Sequence, residues 1–380
     1  MFWAFLILIF IRPFISSLAF PYANSIFTFL LLGFSSLWII LRRKSLRVPN
    51  SIKLPLTFFV IALIASLAFS LDRARSAQEL IYYVCALLIF ILSASLSSRE
   101  KNSVIITMLF ACSIVSIIAL YQRFFGFSHL VTYLRNEEIT DPFIIDYVAR
   151  KRVFSPFITP NALAGYLVMC IPLMIGMWNG KQKFSAYPLV YLLILTFLAL
   201  LFTQSLGALV SLAIGLAVYF YLQKGFKRQS IFLLFGFLAV IIAVFIARTL
   251  LQKEHAQPLF SAMMRLNYWD EAFALVKSKP FFGVGLGNFN LPESRYAHNS
   301  YVQLCAEMGF FGLGAFLWLI GACLRRGYVF FKESAKSMLV AGLLVASAVF
   351  LVHNTVDFTF FLPEISLLWW AILGLLLSGV

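Results

Sequence analysis

Residues 230–251 read Ser-Ile-Phe-Leu-Leu-Phe-Gly-Phe-Leu-Ala-Val-Ile-Ile-Ala-Val-Phe-Ile-Ala-Arg-Thr-Leu-Leu, with Arg248 the single charge in the run. A helix of about 20 such residues crosses the hydrocarbon of a bilayer, because a helix pairs its own backbone groups where no water can. Similar runs recur along the 380 residues, of which 62% are hydrophobic and 12% charged, with 42 Phe. A soluble domain has no interior large enough to hide that much apolar surface. The chain therefore reads as an all-α polytopic membrane protein, one integral membrane domain over 1–380.

Twelve spans are expected, near 2–20, 22–41, 54–71, 79–97, 103–125, 160–178, 187–203, 205–222, 230–251, 299–322, 338–353 and 364–380. The first run lacks a basic leader and a small-residue cleavage site, so it reads as a retained helix. Cys85, Cys112, Cys170, Cys305 and Cys323 all lie in apolar segments without metal-ligand spacing, and read as small core residues. No internal repeat is visible, which argues against a transporter built on inverted repeats.

Charge orients the spans. With both termini inside, the inner loops carry 16 Lys+Arg and two acids, Glu100 and Glu333, against 11 Lys+Arg in the outer loops. The short inner loops are the positive side. The net charge of +15 reports this topology and contact with anionic membrane lipid. Nucleic acid is not an expected partner, since no basic stripe is interleaved with exposed aromatics on a soluble domain.

Two outer loops are long enough to hold a site, 126–152 and 252–298. The first ends in Arg150-Lys151-Arg152. The second begins with a helical pattern, Met263–Phe273, that sets Arg265, Trp269 and Phe273 on one face. It closes with Pro280-Phe281-Phe282-Gly283-Val284-Gly285-Leu286-Gly287-Asn288-Phe289, whose third glycine comes one place too early for a dinucleotide loop. No strand precedes it, so a tight re-entrant turn is expected. His298 and Asn299 follow, at the mouth of an apolar helix where water, a titratable imidazole and the bilayer surface meet.

Five patches in this order resemble the O-antigen ligase and O-antigen polymerase family. They are Arg152-Val153-Phe154-Ser155-Pro156-Phe157 with Pro160-Asn161-Ala162-Leu163-Ala164; Thr203-Gln204-Ser205-Leu206-Gly207; Arg265…Trp269…Pro280…Gly283-Val284-Gly285; the stretch from Ala297-His298-Asn299 to Gly312; and Val352-His353-Asn354-Thr355-Val356-Asp357-Phe358. They cover roughly residues 150–370, and the first 150 residues match in hydropathy alone. Leu206 departs from the pattern, standing where an arginine is common, so no phosphate contact is carried over at that turn.

The resemblance implies a glycosyltransferase of the C type on the periplasmic face of a bacterial cytoplasmic membrane. The donor would be a glycan on undecaprenyl pyrophosphate. The acceptor would be lipid A–core for a ligase, the preferred reading, or another lipid-linked glycan for a polymerase. The leaving pyrophosphate needs fixed cations, and arginine holds phosphate oxygens in a planar fork that does not deprotonate. Arg265 and Arg152 in outer loops, with Arg123 and Arg248 at span ends, are the candidates. His298 is the expected general base.

Each residue has a plainer reading beside that one. His298 and His353 are equally readable as caps or interfacial anchors, Arg265 as a solvated helix charge, and Arg152 as a headgroup anchor. Arg123 and Arg248 are placed where long cationic chains snorkel. Asn299 is a supporting residue. Glu307, two turns inside a membrane helix, reads as a structural hydrogen-bonded group, and Asp357 as a group that orients His353. No clustered carboxylates occur at the outer ends, and Glu137, Glu138, Asp141 and Asp146 read as solvated loop acids. The expected chemistry is accordingly inverting and metal-independent, with no cofactor. A lipid-glycan transporter and a structural scaffold are the readings from other classes; the first predicts repeats and mid-membrane charges, and the second leaves the outer arginines and histidine unexplained.

The topology is checked by placing a cysteine at Gln257. Membrane-impermeant thiol reagents should label it from outside the cell, and labelling from the cytoplasm alone would overturn the orientation.

Overall fold

A computed structural model describes residues 1–42, 46, 48–138, 142–178, 186–224, 228–250, 260–291, 294–334 and 337–378. The elements are helices throughout: α1 (Phe2–Ile11), α2 (Pro21–Arg42), α3 (Asn50–Ala68), α4 (Arg73–Ala94), α5 (Ser98–Tyr121), α6 (Phe127–Asn136), α7 (Pro142–Ala149), α8 (Pro160–Trp178), α9 (Ala186–Thr203), α10 (Leu206–Lys224), α11 (Arg228–Leu250), α12 (Phe260–Ser278), α13 (Ser300–Glu333), α14 (Met338–His353) and α15 (Pro363–Leu377). Among the described residues, eight helices are long and apolar enough to cross a membrane. Four shorter apolar ones, 2–14, 187–203, 338–353 and 363–377, fall on the other expected spans. This is an all-α polytopic membrane protein.

The centre of the bundle is set by helices that are apolar all round. In α8 and α15 almost every side chain is buried, and in α14 most are, as expected where a helix meets neighbours on every side. Small residues let α8 and α14 close in: a Cβ on Gly342 would lie 3.1 Å from the Cα of Gly176. The five cysteines are free and buried.

Both segments expected as outer loops contain helices. A π-turn, Gln122–Gly126, carries α5 directly into α6, and α7 follows. The second segment holds α12, which carries Arg265, Trp269 and Phe273 at helical spacing. Its buried residues are Tyr268, Ala272 and Val276; Trp269 packs against them, while Phe273 is exposed.

The loop ends expected outside meet at one end of the bundle. The Ser17 amide donates to Glu364, the Leu71 amide to the Val284 carbonyl, and the Ser300 amide to the Asn354 carbonyl. At the opposite end Arg42 pairs with Glu100 at 3.6 Å, and Lys101 donates to the Ser378 carbonyl at 2.7 Å. The loop-rich end carries a buried knot as well. Arg12 lies 3.5 Å from Glu364, donates to Asn24 Oδ1 at 2.8 Å and stands over the Phe27 ring, so α1, α2 and α15 share one charge pair.

The helix that follows His298 is broken. Gly309 has φ 67° and ψ −175° inside α13. Residues 280–287 fold back against this break and supply the hydrogen bonds it lacks. The Val284 and Gly285 amides donate to the Ala306 and Glu307 carbonyls at 2.9 and 3.0 Å, while the Phe310 and Phe311 amides donate to the Pro280 and Phe281 carbonyls at 2.8 and 3.3 Å. The turn works because Gly283, Gly285 and Gly287 all have positive φ.

A Cβ on Gly309 would collide with the backbone of Phe281 and Phe282. Gly309→Ala should therefore lower the thermal midpoint of the detergent-solubilised protein by several degrees, for a cost on the order of 1–3 kcal/mol or more. Gly314→Ala, whose Cβ meets nothing within 4 Å, should leave it unchanged.

Candidate functional site

His298 is the last residue but one before α13, and its backbone is strained, with φ 52°. Asn299 caps the helix, its side chain accepting from the Tyr301 and Val302 amides at 3.0 and 3.2 Å. A cap of this kind is worth about 1 kcal/mol. Asn299 is thus a structural residue that fixes where its neighbour points.

The imidazole of His298 lies between two aromatic rings. Tyr268 of α12 stacks on it at 5.8 Å, and Phe358 meets it edge-on at 4.8 Å. Trp269 secures the same corner, donating to the Ala297 carbonyl at 3.0 Å. Nδ1 is buried without a hydrogen-bond partner. Desolvation lowers the imidazole pKa to about 4; Asp357 opposes that shift and Arg265 adds to it. Near neutrality the ring is uncharged.

Asp357 is buried on the turn between α14 and α15. One carboxylate oxygen accepts from the Phe358 amide at 2.8 Å, while Oδ2 is buried without a partner. The turn is locked to the start of α13: Ser300 Oγ donates to Asn354 Oδ1 at 2.7 Å and to the Asp357 carbonyl at 3.1 Å. His353, at the end of α14, is buried between α8 and α10. A Cβ on Gly165 would reach within 2.9 Å of its ring, and one on Gly207 within 4.0 Å of Nδ1. Arg265 and Asp357 act electrostatically on both imidazoles. Sequence-distant His298, His353, Asp357 and Arg265 are therefore one constellation.

Arg152 borders that group from another side. Its Nε donates to the Thr203 carbonyl at 2.9 Å and Nη2 to Asn161 Oδ1 at 3.3 Å, which ties the segment before α8 to the α9–α10 turn. Arg123 is placed differently, over the Phe202 ring at 5.0 Å. The side chain of Arg248 lies outside the described residues.

Glu307 belongs to the framework. It is buried on α13, where its carboxylate accepts from the Gly287 amide at 2.9 Å and from Gln303 Nε2 at 3.0 Å. The Ser66 hydroxyl takes its carbonyl. Among the described residues, no group of three or more His, Cys, Asp and Glu could hold a metal ion.

Several residues that organise this region carried no distinct signal in the sequence. Asn354 stood only as the partner of His353 in a motif, yet its side chain latches α13 to α14 and also accepts from the Phe360 amide at 2.8 Å. Gln122 accepts from the Phe154 and Ser155 amides at 2.8 and 3.0 Å and shapes the approach to Arg152. The repeat of His-Asn at 298–299 and 353–354 was the available hint.

Residues 191–317 match a family model described as O-Antigen ligase, about a third of the chain. The matched stretch contains the Thr203–Gly207 turn, Arg265, the glycine loop and His298. It supports an O-antigen ligase/polymerase-like family for this protein. No curated protein matches the chain.

A histidine NMR titration tests the environment of His298. Its resonance, assigned by its loss in His298→Asn, should titrate near 4, move lower in Asp357→Asn and move higher in Arg265→Gln. Because the folded-state value lies below the ordinary 6.5, acid costs stability between those two pH values. A midpoint near 6.5 would show the ring solvated.

Proposed function

We propose that this protein transfers a glycan from undecaprenyl pyrophosphate to a sugar hydroxyl at the periplasmic face, with lipid A–core as the preferred acceptor. The observation that carries this reading is the neutral, aromatic-walled imidazole of His298 sharing an electrostatic neighbourhood with Arg265. The match over residues 191–317 supports the same class of activity.

In this mechanism the acceptor oxygen attacks the anomeric carbon as the bond from that carbon to the pyrophosphate oxygen breaks. Configuration inverts, because the nucleophile enters opposite the leaving group. The hydroxyl proton passes to His298 and the pyrophosphate leaves on its lipid. Proton removal by a positioned base contributes roughly 10²–10⁴-fold.

Burial makes His298 a weak base before the donor binds, with its pKa near 4. The arriving pyrophosphate changes that balance, since an anion beside the ring neutralises Arg265 and favours the imidazolium. Donor binding thereby raises the proton affinity of the base at the moment it is used. A proton on Nδ1 leaves Nε2 to receive one, and the negative charge of Asp357 favours the imidazolium that results. Arg265 and Arg152 stabilise the developing pyrophosphate charge.

Purified protein given lipid-linked glycan with lipid A–core should form the ligated product. His298→Ala should lose most transfer, and His298→Gln should not recover it, because an amide does not accept the proton. Near wild-type turnover in the Gln variant would reduce His298 to an orienting residue. Arg265→Ala should be severely impaired and Arg265→Lys rescued only in part, since an ammonium lacks the bidentate fork. Full activity of correctly inserted Arg265→Ala would make it a surface charge.

Transfer should also persist in excess chelator once the donor is embedded. Loss of activity restored by magnesium or manganese would reveal a metal requirement.

A further inference from the structure

A cavity lies on the far side of the Tyr296–Phe358 pair from His298. It has a volume of about 400 Å³ and is bounded by α2, α4, the glycine loop, α13 and the start of α15. That size falls within the roughly 300–1,000 Å³ of small-molecule sites. Tyr296 forms part of its wall and stacks on Phe358 at 4.2 Å, and Phe358 in turn meets the His298 ring. The cavity and the imidazole are therefore separated by two stacked side chains.

The chemistry of its wall differs from that around Arg265. Its charged side chains are Glu79, Arg295 and Glu307. Arg295 is paired with Glu79 at 3.5 Å, and Glu307 is held by Gly287 and Gln303. Among the described lining residues a pyrophosphate would meet two carboxyl groups and one cation, Arg295, already paired. Neutral polar groups dominate instead: Asn24 Nδ2 donates to Tyr82 Oη at 2.9 Å, and Gln78 and Gln303 add amides. Tyr296, Phe289 and Phe361 supply aromatic surface. Amides, a carboxylate and aromatic faces are the complement of a sugar, whose ring edges carry hydroxyls and whose faces carry C–H groups.

One side of the cavity reaches the lipid. Phe29 lines it and is 62% exposed, on the face of α2 that also presents Tyr22, Ile26 and Leu30. A ligand anchored in the bilayer can reach the polar end without leaving its membrane.

We infer that this cavity holds the unphosphorylated sugar end of a membrane-anchored glycan, the acceptor in the proposed transfer, presented toward His298 from the side opposite the donor pyrophosphate. The inference rests on the transferase reading for the word acceptor, and on the cavity wall for the class of ligand. Two lipids offer this chemistry, lipid A–core and a glycan on undecaprenyl pyrophosphate.

The test uses the full chain with Gln78→Cys. The five native cysteines are buried, so the introduced thiol is the accessible one. Its rate of modification by a water-soluble thiol reagent should fall in the presence of lipid A–core, or of the undecaprenyl-pyrophosphate glycan, and the arm that protects identifies the source. Undecaprenyl pyrophosphate without sugar should not protect. Glu79→Ala should raise the KM for the acceptor about tenfold, the scale of one charge-assisted hydrogen bond from a sugar hydroxyl to its carboxylate, with the KM for the donor unchanged.

Protection by sugar-free undecaprenyl pyrophosphate, or a raised donor KM, would make this a donor site and overturn the inference, as would no protection by either glycan. Transfer without protection sinks the acceptor site and spares the transferase. Protection without transfer sinks the transferase and leaves a glycan-binding cavity.

Discussion

An interrupted helix inside a protein of this kind needs hydrogen-bond partners for its freed backbone groups, because bilayer hydrocarbon offers none. The break at Gly309 is the constraint on which the functional end depends. Its carbonyls and amides are taken by residues 280–285, and that segment is pinned in turn to α3 and α4. Ser76 donates to the Leu286 carbonyl at 2.7 Å, and Asn288 Nδ2 donates to Ser70 Oγ at 2.7 Å. Each unmade bond at that depth would cost several kcal/mol, so the glycine loop and the break enforce one another. The loop then fixes α12 at one end and the approach to His298 at the other. The imidazole is positioned by backbone hydrogen bonds two turns deeper in the same helix.

This framework divides the loop-rich end by charge. Arg265 and Arg152 stand on the side of His353 and the α9–α10 turn, while the cavity beyond Tyr296 is lined by paired or hydrogen-bonded groups with an acidic surplus. The proposed transfer, with a pyrophosphate donor and a sugar acceptor, would need such a division. Each would otherwise compete for the other's place. His298 lies at the boundary, walled by Tyr268 and Phe358, and its neutrality keeps it from acting as a further phosphate anchor near neutral pH.

Much of the fold was legible in the sequence because hydrophobic length is a local property. Eight of the expected spans fall on helices long enough to cross a membrane and four on shorter apolar helices, and the Thr203–Ser205 connection does separate two helices, with Gln204 at φ 53°. Pro160 opens α8, and the glycine pattern at 283–287 is a tight turn. What could not be read is tertiary. The 126–152 segment contains α6 and α7 because these bury apolar side chains such as Phe127 and Val148, a choice made by packing rather than by span length. Which side of α12 is buried, that of Tyr268, Ala272 and Val276, was not readable either, since periodicity fixes the spacing of a face but not which face meets a neighbour. Arg12 with Glu364, 352 positions away, and Asn354 with Ser300 are pairings no spacing rule contains. The individual candidates His298 and Arg265 were visible as chemistry. Their shared neighbourhood with Asp357 and His353 was not.

Leu206 departs from the motif at a turn that a cation from another segment also reaches. The resemblance places an arginine at the α9–α10 turn, and this chain has a leucine there. The turn is nevertheless met by a guanidinium, because Arg152 arrives from the segment before α8 and donates to the Thr203 carbonyl. Its second contact, Asn161, lies one turn before Gly165, the residue against which His353 packs. A fixed cation acts through its position in space, and its place in the chain is immaterial to the field it creates. The departure at 206 therefore leaves the turn with the guanidinium of Arg152 and without one of its own.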